Sequence, residues 1–193
     1  MLESIINAFK DAQDVLENFF GTSNNHELIK SAIEQFVSSI ENGGKIISCG
    51  NGGSMCDAIH FAEELTGRFR KDRDPLPAMA INDPGHITCT ANDYGYEHIF
   101  SRIVQSLGRE NDCLLAISTS GNSKNIIKAV EVAKEKGIKV IGLLGKSGGK
   151  LKNIVDIPII VEHDVSDRIQ EMHIKIIHIM IEGIERHLYP DHY

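Results

Sequence analysis

The chain has 193 residues, of which 41% are hydrophobic and 24% charged, and it carries a formal net charge of −7. That length suits one compact unit with its own core, and the acidic balance argues against an electrostatic grip on nucleic acid or an anionic membrane. No run approaches the ~18 consecutive apolar residues of a membrane span.

The N-terminal stretch is acidic and lacks a basic n-region, so no signal peptide is expected. Cys49, Cys56, Cys89 and Cys113 are scattered and form no CxxC, which points to reduced thiols in the cytosol rather than a disulfide framework or a Cys-rich zinc site. Apolar residues at Leu2, Ile5, Ile6, Phe9, Val15, Leu16, Phe19 and Phe20 recur at helical spacing. The pattern repeats over residues 26–42, and GTSNN between the two runs supplies a stop and a new start.

Gly43-Gly44 introduces an expected strand at 45–49, followed by the loop GNGGS and a helix from Ser54 to about Arg70. KDRDPLP reads as a surface connection, 77–81 as a short strand, NDPGH as a turn and 96–107 as a helix. The apolar run at 113–117 predicts a buried parallel strand. The loop STSGNS follows it, then a helix from Lys124 ended by Gly137. Strands are expected at 139–145 and 156–162, and one long helix from Asp167 to Leu188. The terminal PDHY reads as a frayed tail. Strands alternating with helices predict an α/β doubly wound fold. The expected form is a three-layer sandwich around a mostly parallel five-stranded sheet, one domain over 1–193.

Ligands collect at the carboxyl ends of strands in such sheets, and two loops there carry suitable chemistry. Gly50-Asn51-Gly52-Gly53-Ser54 allows close backbone approach, and Ser54 with Asp57 has capping-box spacing. Ser118-Thr119-Ser120-Gly121-Asn122-Ser123 offers hydroxyls and then a helix N-terminus, a setting suited to phosphate. Neither loop has the GxxxxGK[ST] or GxGxxG spacing, so no nucleotide cofactor is implied. Either loop could equally be only a turn.

His60 and Glu64 stand at i, i+4 and share one helix face. The last helix carries Gln170, His173 and His178, and Asp167 with Gln170 again has capping-box spacing. Satisfied core residues and functional groups are both open readings for these side chains. Gln170 and His178 lie ~12 Å apart along a straight helix, so a common site needs leaning side chains, a bend or a second subunit.

Taken together, GNGGSMCDAIHFAEELTGR, NDYG, STSGNS and DRIQEMHIKIIHIMIE resemble the phosphoheptose isomerase family. These are sugar isomerases of the SIS domain, a flavodoxin-like fold, and the resemblance covers nearly the whole chain. It implies an aldose–ketose isomerase that converts sedoheptulose 7-phosphate to D-glycero-D-manno-heptose 7-phosphate through an enediol. That reaction opens ADP-heptose synthesis for the lipopolysaccharide core. The resemblance also implies that Asn51, Gly52, Gly53, Ser54, Glu64, Asn92, Asp93, Asp167 and Gln170 line the sugar. Ser118, Thr119, Ser120 and Ser123 would hold the phosphate, and Glu64 and His178 would form the acid–base pair. His60, Glu64, Gln170 and His178 match the family's zinc set, one ion per subunit. A cytoplasmic homotetramer is implied, with sites at subunit interfaces and residues 1–43 serving packing and oligomerisation. Met55 departs from the family pattern between Ser54 and Cys56. Other readings are an isomerase of a different phosphosugar and a non-catalytic SIS protein that associates with the replication initiator. A regulator's sensor domain lacks support, since no helix-turn-helix segment precedes the matching region.

Overall fold

The structure is a computed structural model that describes residues 1–193. Two helices, α1 (Leu2–Gly21) and α2 (Ser23–Glu41), precede strand β1 (Ile46–Cys49). Then come α3 (Gly53–Thr66), β2 (Ala78–Ala80), α4 (Pro84–Tyr94) and α5 (Ser101–Leu107). The chain continues through β3 (Cys113–Ser118), α6 (Lys124–Glu135), β4 (Lys139–Gly145), β5 (Ile157–Val161) and α7 (Ser166–Leu188). No helix is long and apolar enough to cross a membrane.

The strands order as β2-β1-β3-β4-β5, and every pair is parallel. The expected α/β sandwich is therefore present, with an all-parallel sheet rather than a mostly parallel one. Alternate residues of each strand enter opposite cores, as a period of two requires. Ile46, Cys113, Leu115 and Ile117 pack with α1, α2, α3 and α7, whereas Ile47, Cys49, Leu114 and Ala116 pack with α5 and α6. Burial on both faces explains the near-continuous apolar runs of β1, β3 and β4.

Several local expectations are corrected. NDPGH is no turn: Asp83 caps α4 by accepting from the His86 N–H at 2.6 Å, and Pro84 occupies the first helical position, where its missing N–H costs nothing. The 96–107 helix is interrupted. A 3-10 turn (Tyr96–His98) follows Gly95 at φ +95°, and α5 begins only at Ser101. GTSNN shrinks to one extended residue, Thr22, between α1 and α2.

Neither expected capping box forms. α3 starts at Gly53 behind Gly52, and α7 starts at Ser166 behind Val165, both without a side-chain cap bond. α3 ends at Thr66, short of Arg70. The terminal PDHY is not frayed. It forms a 3-10 turn (Pro190–His192), and the Tyr193 hydroxyl donates to Glu185 Oε2 at 2.6 Å.

Candidate active site

β1 and β3 are hydrogen-bonded neighbours, with Cys49 opposite Ala116, although the chain visits β2 between them. The strand order therefore reverses at this pair, and such a switch point opens a crevice at the strands' carboxyl ends. GNGGS leaves β1 on one side of it and STSGNS leaves β3 on the other.

The two loops are tied together by an amide pair. Asn51 Nδ2 donates to Asn125 Oδ1 at 3.0 Å, and Asn125 Nδ2 returns a bond to Asn51 Oδ1 at 2.8 Å. The Tyr96 hydroxyl donates to the same Asn51 oxygen at 3.0 Å. Asn51 Oδ1 is thus saturated, and one Asn51 N–H and the loop backbone are left to face a ligand. Neither Asn125 nor Tyr96 stood out in the sequence. The signal for Asn125 was its place on the buried stripe of α6 with Ala129 and Ala133, where a polar residue needs a partner.

In the second loop, Ser118 and Ser123 hydroxyls lie 3.2 Å apart. The Ser120 hydroxyl accepts from the Asn122 N–H at 3.1 Å. Asn122 Oδ1 in turn accepts from the Lys150 N–H at 3.1 Å, so the loop after β4 supports this one from behind. Gly121 has φ +62°, and a Cβ there would sit 2.0 Å from the Gly148 carbonyl oxygen. α6 begins right after Ser123 with no side-chain cap. Its N-terminal N–H groups and dipole therefore favour an anion beside four hydroxyl-bearing residues.

α3 and α7 run side by side in the same direction. Gln170 lies against Gly53 so closely that a Cβ there would be 2.5 Å from Gln170 Nε2. About two turns further along both helices, His60 Nε2 meets His178 Nε2 at 2.9 Å. Glu64 Oε1 lies 3.4 Å from His60 Nε2, and the Phe69 ring stacks on His178 at 5.9 Å. The three ligand atoms of His60, Glu64 and His178 fall within 4.8 Å of one another. At 2.9 Å one imidazole must donate and the other accept, so both cannot be cationic. Burial, and then the neighbouring His60, hold the His178 pKa below the usual histidine value, while Glu64 pulls it upward.

Two imidazole nitrogens and a carboxylate oxygen converging this tightly fit a divalent cation such as Zn²⁺, with three protein ligands and an open position. Gln170 sits at the Gly53 end of the same helix pair. The His60 side chain is 38% exposed and Glu64 16%, so the cluster is open on one side. Clefts of about 600 Å³ beside Phe19, Leu28 and Ile160, and about 700 Å³ beside Lys146 and His163, lie apart from it.

The remaining expected residues are less engaged. Asn92 donates to Asp93 Oδ1 at 2.8 Å on the exposed end of α4, and this segment reaches the loop only through the nearby Tyr96. Asp167 is exposed in the first turn of α7, 4.0 Å from Arg168. Thr119 is half-buried, and Ser54 is buried in the first turn of α3.

The SIS domain family model matches residues 9–145. The phosphoheptose isomerase of Fusobacterium nucleatum is 49% identical over 190 residues, covering 98% of each chain. That of Enterobacter sp. (strain 638) is 55% identical over 185 residues, covering 95% of this chain and 96% of its own. Among solved structures, the phosphoheptose isomerase from Francisella tularensis superposes with a TM-score of 0.91 at 40% identity, covering 96% of this chain and 98% of that one. The Neisseria gonorrhoeae enzyme gives 0.89 at 39% identity, covering 96% and 99%. By sequence over nearly its whole length, and by its overall fold, this chain belongs to the phosphoheptose isomerase family of SIS-domain proteins.

Proposed function

We propose that the protein interconverts sedoheptulose 7-phosphate and D-glycero-D-manno-heptose 7-phosphate. The observation that carries this reading is the meeting of Glu64, His60 and His178 on two parallel helices, one of which opens from a switch-point loop. Ser118, Thr119, Ser120 and Ser123 hold the phosphate with the N-terminus of α6. Asn51, Gly52, Gly53, Ser54 and Gln170 line the sugar, and Asn92, Asp93 and Asp167 reach it from the rim.

Isomerisation moves one hydrogen between adjacent carbons. A base takes a proton from C1 of the ketose, the electron pair forms the C1–C2 double bond of an enediol(ate), and the proton returns to C2. The O1 proton passes to O2, which leaves an aldehyde at C1. We assign the carbon-bound proton to Glu64 and the oxygen-bound proton to His178. An imidazole kept neutral by burial both accepts and donates near pH 7. His60, Glu64 and His178 would hold Zn²⁺, which when bound supplies Lewis-acid polarisation of a substrate oxygen, whereas Gln170, expected in the same set, lies at the Gly53 end of the helix pair and would have to swing along α7 to join them.

The exposed apolar residues of α1, among them Phe9 at 74% and Phe20 at 68%, support self-association through residues 1–43, and we assign a homotetramer. Neighbouring copies would wall the open side of the cluster. We assign the reaction to the cytosol, in keeping with a phosphorylated substrate, and its product class suits the supply of ADP-heptose for lipopolysaccharide.

Incubation with sedoheptulose 7-phosphate, followed by NMR, is expected to show the aldoheptose phosphate. Shorter ketose phosphates are expected to turn over more slowly. Glu64→Gln and His178→Ala are each expected to lose on the order of 10²–10⁴-fold in kcat. Normal turnover by both variants would remove the assignment. Metal analysis of the purified protein, with turnover before and after chelation, tests the zinc set.

A further inference from the structure

Beyond the residues that face the cluster, one buried cation joins the same two helices. Arg73 lies in the connection after α3, and its side chain is 1% exposed. Its Nε donates to Glu185 Oε1 on α7 at 2.7 Å. One terminal nitrogen donates to the Glu64 carbonyl at 2.8 Å, and the other reaches the carbonyls of Leu65 at 2.9 Å, Gly67 at 3.2 Å and Asp74 at 3.1 Å. Glu185, 3% exposed, is completed by the Tyr193 hydroxyl on Oε2.

A guanidinium at this place does two jobs. It satisfies carbonyls at the end of α3 that have no intrahelical partner, with its charge at the favourable end of the dipole. Its fork also locks that end to α7. Glu185 and His178 share a face of α7 about two turns apart, and the carbonyl that Arg73 grips belongs to Glu64 itself.

Apart from the His60–His178 hydrogen bond at 2.9 Å, the Gln170–Gly53 contact and the more exposed Arg70–Glu182 pair at 2.7 Å, the α3–α7 contact is apolar, built from Phe61, Leu65, Ile177 and Ile181. Such packing is not directional and tolerates small sliding along the helix axes. Hydrogen bonds with fixed angles do not. We infer that Arg73, held by Glu185, is a positioning residue that sets the axial register of α3 against α7. It thereby sets the spacing of Glu64, His60 and His178. This inference rests on the catalytic reading of Glu64 and His178.

The test uses the full-length protein and two variants. Replacing a buried ion pair by apolar residues of similar volume preserves stability more often than removing one partner does. Arg73→Met/Glu185→Leu is therefore expected to fold, with Tyr193 turning its hydroxyl to water. Arg73→Lys keeps the charge but loses the planar fork, and it carries the test should the double variant not fold.

In either folded variant, kcat is expected to fall ~10–100-fold, while KM for sedoheptulose 7-phosphate stays within about threefold, because the phosphate loop is untouched. Zn²⁺ affinity, read by competition with a chromophoric chelator, is expected to weaken ~10-fold. A folded variant with unchanged kcat overturns the inference, because a merely structural Arg73 would change thermal stability alone. Glu64→Gln is assayed alongside. If it is inactive and Arg73→Lys is not impaired, the positioning role fails and the catalytic reading stands. If Glu64→Gln keeps full turnover, the catalytic reading fails instead.

Discussion

Single residues show where sequence patterns reach and where they stop. The pairing of His60 with Glu64 was legible because helical spacing alone puts i and i+4 on one face, although spacing left open whether the pair is structural or functional. His178 was legible only through family resemblance, since an imidazole on an apolar helix is as consistent with a core as with a site. His173 shows how close that alternative is. It is fully buried on the same helix, and its ring nitrogen Nε2 bonds the Leu144 carbonyl at 2.9 Å. Burial lowers its pKa to about 4, against the smaller opposing effect of that carbonyl. The unfolded chain takes up a proton near pH 6.5, whereas the folded chain resists until about pH 4. Stability from a neutral His173 is therefore fully present above pH 6.5 and is lost as pH falls through that window. Asp57, raised by burial to about 6, works in the opposite sense, so the measurement compares variants. Between pH 7 and pH 5, wild type is expected to lose ~2 kcal/mol more than His173→Gln in urea unfolding. Parallel losses in both proteins would assign the acid sensitivity elsewhere.

At the scale of elements, strong periodicity carried the strands, α1, α2, α6 and α7, because burial on a period of 2 or 3.6 leaves a mark that local chemistry seldom hides. α4 was lost because Asp-Pro-Gly reads as turn chemistry, although Asp followed by Pro is equally a cap and a first helical position. Both capping boxes failed for a related reason. Glycine at Gly52 lets the backbone enter α3 at φ +57° without a side-chain cap, and α7 starts one residue before the expected Asp167. Loop-to-loop support was beyond sequence reading altogether. STSGNS rests on the turn after β4, where Leu151 N–H donates to the Gly121 carbonyl at 3.0 Å and Lys150 N–H to Asn122. Gly121→Ala would place a Cβ inside the Gly148 carbonyl and force φ +62° on an alanine. It is expected to cost upward of ~1–3 kcal/mol of stability. It should also raise KM for the phosphorylated substrate with a smaller change in kcat, since Glu64 and His178, to which proton transfer is assigned in the proposal, lie on other elements. A thermal melt and steady-state kinetics read both effects, and an unchanged KM would separate this loop from phosphate binding.

Across the whole molecule, exposed large apolar residues concentrate on its first helix. Leu2, Ile5, Ile6, Phe9, Leu16 and Phe20 are exposed along α1, while Val15 and Phe19 face the core. A helix with apolar residues on its outer face as well as its inner one is built to be covered twice. At ~25 cal/mol per Å² of apolar area removed from water, a face of this composition would provide the non-directional part of the proposed interface between copies. The open side of His60 and Glu64 adds a functional reason. A proton-transfer cluster left in bulk water loses the low dielectric that sharpens its electrostatics. The assembly and the chemistry are therefore expected to fail together. Ile5→Glu/Phe9→Glu puts two charges into the covered face without touching the sheet, α3 or α7. Sedimentation equilibrium should show smaller species than wild type at the same concentration, with an unchanged circular dichroism spectrum. kcat/KM for sedoheptulose 7-phosphate should fall by ~10-fold or more as copies separate, and recover partly at high protein concentration, as mass action requires. A variant that keeps the wild-type mass would move the interface away from α1. A dissociated variant with full activity would show that each chain completes its site alone.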